Sequence, residues 1–280
     1  MKKIFIIVAA LAAATGAYAA APGAAPAGPS ASFAELLKCG AADIGHSFQK
    51  PDQQAVPQPA PPQSACFKPP VFIDNKGDIY NGHTLLGRGA VAFKTGCTND
   101  AAWTDKAGNL YRNAARLGRE VKEYGIAAFT GDVVWTDHYK YLYRNSSRIG
   151  SSVESRDMNA FTGQVVWKDT YGYLYRNEGL KTDRIGSGVK EYKVSAFTGT
   201  AAWLDTFNTL YRNTGGATSR LGSDVIKFSV AARTGDVAAL DSYHCLFLNG
   251  LLISRDAKDF TLNANGSFSW IGRDGVLHTA

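Results

Sequence analysis

Seven times between residues 72 and 277 an aliphatic residue stands seven positions after an aromatic or small one. The pairs are Phe72/Ile79, Trp103/Leu110, Trp135/Leu142, Trp167/Leu174, Trp203/Leu210, Ala239/Leu246 and Trp270/Leu277. Successive pairs are separated by 31, 32, 32, 36, 36 and 31 residues. A period of this length marks a repeat architecture, in which one supersecondary unit cannot bury its apolar face without its neighbours. The clearest unit, residues 161–189, carries Phe161-Thr162-Gly163, then Val165-Val166-Trp167-Lys168-Asp169, Leu174-Tyr175-Arg176-Asn177 and Arg184-Ile185-Gly186. The unit before it repeats that order from Phe129 to Gly150.

Each unit predicts four short strands, a to d. Strand a is expected in the small apolar segments 91–93, 126–129, 194–197 and 230–233, followed by a Thr-Gly or Asn-Gly turn that needs positive φ. Strand b is the Val-Val-Trp-x-Asp segment, and its Asp is placed to cap the next loop as an Asx turn. Strand c is Leu-Tyr-Arg-Asn, with Asn81-Gly82 and Asn249-Gly250 marking the turn into strand d. A b–c hairpin with a three-residue loop sets Trp135 opposite Tyr143. Because neighbouring units pack face to face, Trp103, Trp135, Trp167, Trp203, Leu110, Leu142, Leu174 and Leu210 are expected in the core between them.

Four-stranded units repeated radially make a β-propeller, here all-β and seven-bladed. The inner strand of such a fold must be narrow, which Ala92, Ala128, Ala160, Ala196 and Ala232 would satisfy. A β-solenoid, which stacks units linearly, is the competing architecture. The Trp-Thr-Asp at 135–137 and at 103–105 resembles the blades of YWTD-type propellers of receptor ectodomains, where an aliphatic strand also follows the Asp. That resemblance covers strands b and c and implies a propeller.

The seventh unit ends after strand c, while Asp43-Ile44-Gly45 repeats the pattern of Arg148-Ile149-Gly150. Residues 43–48 are therefore expected to supply the outer strand of the last blade and close the sheet series. A short helix over 33–39, capped by Ser32, is the alternative for the segment just before.

Lys2 and Lys3 precede an apolar run, and Ala17-Tyr18-Ala19 is a small-x-small site, so residues 1–19 read as a signal peptide cleaved after Ala19. The expected location is periplasmic or secreted, with no stable membrane insertion. Residues 20–31 and 51–64 read as Ala/Pro-rich and Pro/Gln-rich linkers, residues 32–50 as the segment carrying the closing strand, and 65–280 as the repeats. Loss of Lys2 and Lys3 lowers the formal charge from +6 to +4, too modest a balance to argue for nucleic acid. The four cysteines of an exported chain read as two disulfides. Cys66–Cys97 is the first choice, leaving Cys39 and Cys245, with Cys39–Cys66 the runner-up.

Arg112, Arg144, Arg176 and Arg212 fall near the end of strand c, and Arg116, Arg148, Arg184 and Arg220 begin strand d. Flanking the c–d turns, the eight are expected along one rim of blades two to five, beside the lengthened loops 178–183 and 214–219. Forked guanidiniums there would bind anionic groups, or would pair with neighbouring carboxylates or lie solvated along apolar surface. The five histidines fall in different units, and no nucleophile elbow or HExxH pattern occurs. No catalytic residue, metal site or cofactor is expected. The sequence thus points to a monomeric, exported, non-catalytic binding or scaffold module for a protein partner or envelope component. A lectin-like module binding anionic glycans at repeated inter-blade sites, and an enzyme with an unrecognised channel site, are the alternatives.

Overall fold

The Val-Val-Trp-x-Asp and Leu-Tyr-Arg segments pair as adjacent antiparallel strands, as their alternation requires. In the computed structural model, which describes residues 70–280, Trp135 lies opposite Tyr143 and Leu142 opposite Thr136. Trp103/Tyr111, Trp167/Tyr175 and Trp203/Tyr211 repeat that register. The described residues form seven antiparallel sheets in chain order, five of four strands and two of three, with no helix. In blade three, strand a is Val121–Ile126, strand b Val133–Asp137, strand c Leu142–Arg144 and strand d Ser147–Gly150. The a strands of blades two and three touch, as do those of four and five and of five and six. The a strands are therefore innermost and the sheets fan outward, which is the arrangement of a seven-bladed β-propeller.

Among the described residues, blade one has strands b to d and blade seven strands a to c. The closing strand expected at 43–48, the possible helix at 33–39, the signal peptide, both linkers, Cys39 and Cys66 lie outside the described residues. Neither Cys97 nor Cys245 is a free thiol. Cys97 sits in the a–b turn of blade two and Cys245 in the b–c turn of blade six, at opposite ends of their blades.

Strand a differs from its expected position. It ends at Ile126, Val194 and Val230, where it was expected to begin, so Ala128, Ala160, Ala196 and Ala232 belong to the a–b turns. Only Ala92 lies within a strand, Ala90–Thr95. The small residues have another role. The carbonyl of Ala160 accepts from the Phe129 amide of the preceding blade at 3.1 Å, and that of Ala232 from the Phe197 amide at 3.0 Å. Backbones of adjacent turns approach to hydrogen-bond distance there, and a bulky side chain would obstruct them. The lengthened segments after Asn177 and Asn213 are also not loops. They extend the c–d hairpins, as Leu174–Glu178 with Lys181–Gly186 and Leu210–Thr214 with Ala217–Gly222.

The apolar core lies between blades. Trp167 and Val165 of blade four pack with Val134 and Leu142 of blade three, and Trp203 of blade five packs with Val166 and Leu174 of blade four. Trp103, Trp135, Trp167 and Trp203 are 2, 4, 2 and 2 % exposed, and Leu110, Leu142, Leu174 and Leu210 are fully buried. Each of these tryptophans rests on the glycine that ends strand d of the previous blade. A β-carbon added at Gly150 would stand 2.9 Å from the Trp167 ring and one at Gly186 2.8 Å from Trp203, while those at Gly87 and Gly118 would overlap Trp103 and Trp135. In blade six Ala239 replaces the tryptophan, and Phe228 joins the same cluster. There the glycine, Gly222, has only Val225 nearby, at 3.7 Å.

Candidate functional site

The strand order gives each blade two ends, one with the a–b and c–d turns and one with the b–c turns and d–a links. The eight arginines divide between different environments. The strand-c arginines turn into the seams between blades at the first end. Arg144 donates through Nε and Nη2 to Asp132 of its own blade and through Nη1 to Asn177 Oδ1 of the next, at 3.3 Å. Arg176 donates to Asn213 Oδ1 at 2.8 Å and to Glu178 at 2.9 Å, and Arg212 to Asn249 Oδ1 at 3.0 Å. Arg112 pairs with Asp100 at 3.1 Å. Arg176 is buried. Burial pushes the Asp132 carboxyl up, but hydrogen bonds from Arg144 and Asn145 with the Arg144 charge outweigh it, holding Asp132 below its usual range. Asp100, held by Arg112, Thr98 and Asn113, behaves alike. Arg144, Arg176 and Arg212 thus join blade to blade, while Arg112 is held by Asp100 within its own blade.

Arg116, Arg148, Arg184 and Arg220 are exposed on the outer strands. Arg148 and Arg184 reach towards the opposite end, stacking over Tyr141 at 4.4 Å and over Tyr173 at 4.9 Å. The structure therefore does not gather the eight guanidiniums into one rim.

The b–c end carries a feature the residue types alone did not bring forward. Asp137 Oδ1 accepts from the amides of Tyr139 and Tyr141, both at 2.9 Å. Asp169 does the same for Tyr171 and Tyr173, Asp205 for Phe207 and Thr209, and Asp241 for Tyr243 and Cys245. These are the expected Asx turns. Two positions after the Asp, each turn of blades three to six projects an aromatic ring: Tyr139, Tyr171, Phe207 and Tyr243, which are 68, 74, 82 and 46 % exposed. Blades one and two carry Lys76 and Ala107 at that position, so the turn itself does not require an aromatic. Four consecutive blades thus hold large exposed rings on rigid, carboxylate-capped turns of one face. The signal was present in the sequence as an aromatic at Asp+2.

Two crevices open beside these rings. One, of about 520 Å³, lies between the end of strand d in blade two, including Arg116 and Arg119, and Tyr139, Tyr141 and Tyr143 of blade three. Its counterpart one blade on, of about 310 Å³, lies between Ser151 and Ser152 and Tyr171, Tyr173 and Tyr175. A buried carboxylate lines each: Asp137 accepts from the Tyr143 hydroxyl and Asp169 from the Tyr175 hydroxyl, both at 3.2 Å. Burial, then the neighbouring Asp charge, raises the pKa of Tyr143 and of Tyr175 above the usual phenol value, so both stay protonated donors.

Strand a of blade four holds a second polar cluster. Arg156 has its side chain 9 % exposed, with Glu123 of blade three 3.9 Å away. Burial lowers the Arg156 pKa, raises that of Asp157 and raises that of Tyr192 far above the usual phenol range. Among the described residues no group of three or more His, Cys, Asp or Glu is arranged to hold a metal ion, and no helix is long and apolar enough to cross a membrane.

No family model matches the sequence, and no curated protein sequence matches it. Solved structures do resemble the chain. Hsv2 of Kluyveromyces lactis is 11 % identical over 72 % of this chain and 91 % of its own, with a TM-score of 0.38. The C-terminal WD40 domain of Sif2 is 10 % identical over 68 % of this chain and 66 % of its own, at 0.34. The WD40 β-propeller domain of Doa1 is 11 % identical over 77 % and 90 %, at 0.32. Each is a likeness of fold, at identities that carry no function across.

Proposed function

We propose that this chain is an exported, non-catalytic β-propeller that binds a protein or other component of the cell envelope through the b–c end of blades three to six. The observation that carries this reading is the arc of Tyr139, Tyr171, Phe207 and Tyr243, exposed at one position of four consecutive turns. An exposed large aromatic is the residue type that most often anchors a binding interface, and here one stands at the same turn position of four successive blades. The Asx turns preorganise the anchors, so little conformational freedom is lost on binding. Export rests on Lys2, Lys3, the apolar run and Ala17-Tyr18-Ala19. The strand-c arginines serve the scaffold on this reading, since their donors are directed at Asp132, Asp100 and the asparagines of adjacent blades.

The test is the triple replacement Tyr139→Ser, Tyr171→Ser and Phe207→Ser. Because all three side chains are exposed, each change is expected to alter stability by no more than about 0.5 kcal/mol. Binding of envelope components to the immobilised chain should fall by about 2 kcal/mol or more per anchor. Undiminished retention by a folded triple variant would remove the aromatic arc from the account.

A further inference from the structure

The two crevices on this face have a chemistry more specific than a general docking surface. Each combines tyrosine rings of one b–c turn and the strand c that follows it with a carboxylate, phenolic hydroxyls and polar groups at or just after the end of the preceding blade's strand d. Their sizes, about 520 and 310 Å³, lie within the range of roughly 300–1,000 Å³ typical of small-ligand clefts. They are equivalent positions of successive repeats, Tyr139/Tyr141/Tyr143 recurring as Tyr171/Tyr173/Tyr175 and Asp137 as Asp169. A ligand suited to both must offer an apolar face to an aromatic ring and a polar edge to a carboxylate and hydroxyls, and must recur at intervals. A pyranose ring does this: its axial C–H groups form the apolar face and its equatorial hydroxyls the edge.

We propose that these two crevices are saccharide-binding subsites, each taking one sugar unit of a glycan against its tyrosines. The assignment rests on the b–c face being the binding surface and names the ligand class for that face. Asp137 and Asp169 are fixed in position by two backbone amides each, and a carboxylate has acceptor capacity beyond the bonds it makes there. Tyr141 and Tyr173 are held from the outer strand by Arg148 and Arg184, so the ring planes are set before a sugar arrives. Arg116, Arg119 and Glu120 border the first crevice only, so the two crevices share their tyrosines and carboxylate but differ in the charged groups around them. Two weak subsites on one rigid body gain through effective concentration when one chain spans both. Longer oligomers should therefore bind more tightly than monosaccharides.

The experiment is a titration of the full chain, with tyrosine rings isotopically labelled for NMR, against three soluble probes: neutral hexose oligomers, N-acetylhexosamine oligomers and uronate oligomers. The expected result is that one class shifts Tyr139, Tyr141, Tyr171 and Tyr173 while leaving Tyr243 in place. Tyr139→Ala with Tyr171→Ala should weaken that binding at least about tenfold with an unchanged melting temperature, and Tyr141→Phe with Tyr173→Phe should retain most of it. Absence of any shift from all three classes, or undiminished binding by the Tyr139→Ala/Tyr171→Ala variant, would overturn the proposal. A protein partner that still engages Phe207 under those conditions would leave the b–c face standing as a binding surface and refute only the saccharide assignment.

Discussion

Replacing Trp135 by alanine is expected to cost about 3–5 kcal/mol of stability, the usual range for deleting a buried aromatic. Replacing Gly118, on which that ring rests, by alanine is expected to cost about 1–3 kcal/mol through overpacking. Trp135 is 4 % exposed, packs with Ala102 and Leu110 of blade two and stacks on Tyr143 with ring centroids 4.0 Å apart. Its indole N–H donates to the Asn145 carbonyl at 2.7 Å, so truncation removes a hydrogen bond as well as the ring. Gly118 has no space for a β-carbon because the ring fills it. Gly222 provides the internal comparison. Its neighbouring blade has Ala239 instead of tryptophan, and the nearest atom to an added β-carbon is 3.7 Å away, so Gly222→Ala should be close to neutral. Urea unfolding of the three variants would check the set. Equal stability of the Gly118→Ala and Gly222→Ala proteins would show that tryptophan-on-glycine contact does not govern the seams.

The second large effect is expected at Asn145. Its Oδ1 accepts from the buried Val133 amide at 3.0 Å, its Nδ2 donates to Asp132 at 2.8 Å, and its φ is 52°. Asn145→Ala leaves the Val133 amide without this acceptor and puts an alanine into the left-handed region. The expected loss is about 2–4 kcal/mol. Asn145→Gly, which relieves the backbone term, should recover about 1 kcal/mol of it. Asn177 sits at the same repeat position but in an extended hairpin, where its Nδ2 donates to Lys181 and Thr182 instead. Thermal unfolding of the two Asn145 variants tests the assignment; equal losses would remove the backbone contribution.

The b and c strands, their register and their turns were legible because each is fixed by local chemistry. The alternation of Val133-Val134-Trp135 against Leu142-Tyr143-Arg144 leaves one pairing that buries both faces, and Asp137 supplies the cap. Strand a was misplaced for a physical reason. Val121-Lys122-Glu123-Tyr124-Gly125-Ile126 places two exposed charges, Lys122 and Glu123, and a glycine among its apolar residues, because the innermost strand faces solvent on one side, and this interrupts its apolar signature. The turn after it, with Ala127, Ala128 and Phe129, looks more strand-like than the strand does. The arginines misled differently: Arg144 and Arg148 are four apart, yet one side chain enters the seam to reach Asp132 and the other lies over Tyr141. Spacing does not encode that divergence, since it depends on which neighbour offers an acceptor. The aromatic arc was readable as Tyr139, Tyr171, Phe207 and Tyr243 at Asp+2, but only exposure separates a projecting ring from a buried one.

Site-specific photo-cross-linking in the cell of origin tests the central claim most directly. A photoreactive phenylalanine analogue would be placed at Phe207 on the b–c face and, in a separate protein, at Thr130 in an exposed a–b turn at the other end. The b–c face is predicted to give a discrete cross-linked adduct from position 207 and none from position 130. An adduct from position 130 alone, or equal labelling from both, would contradict it.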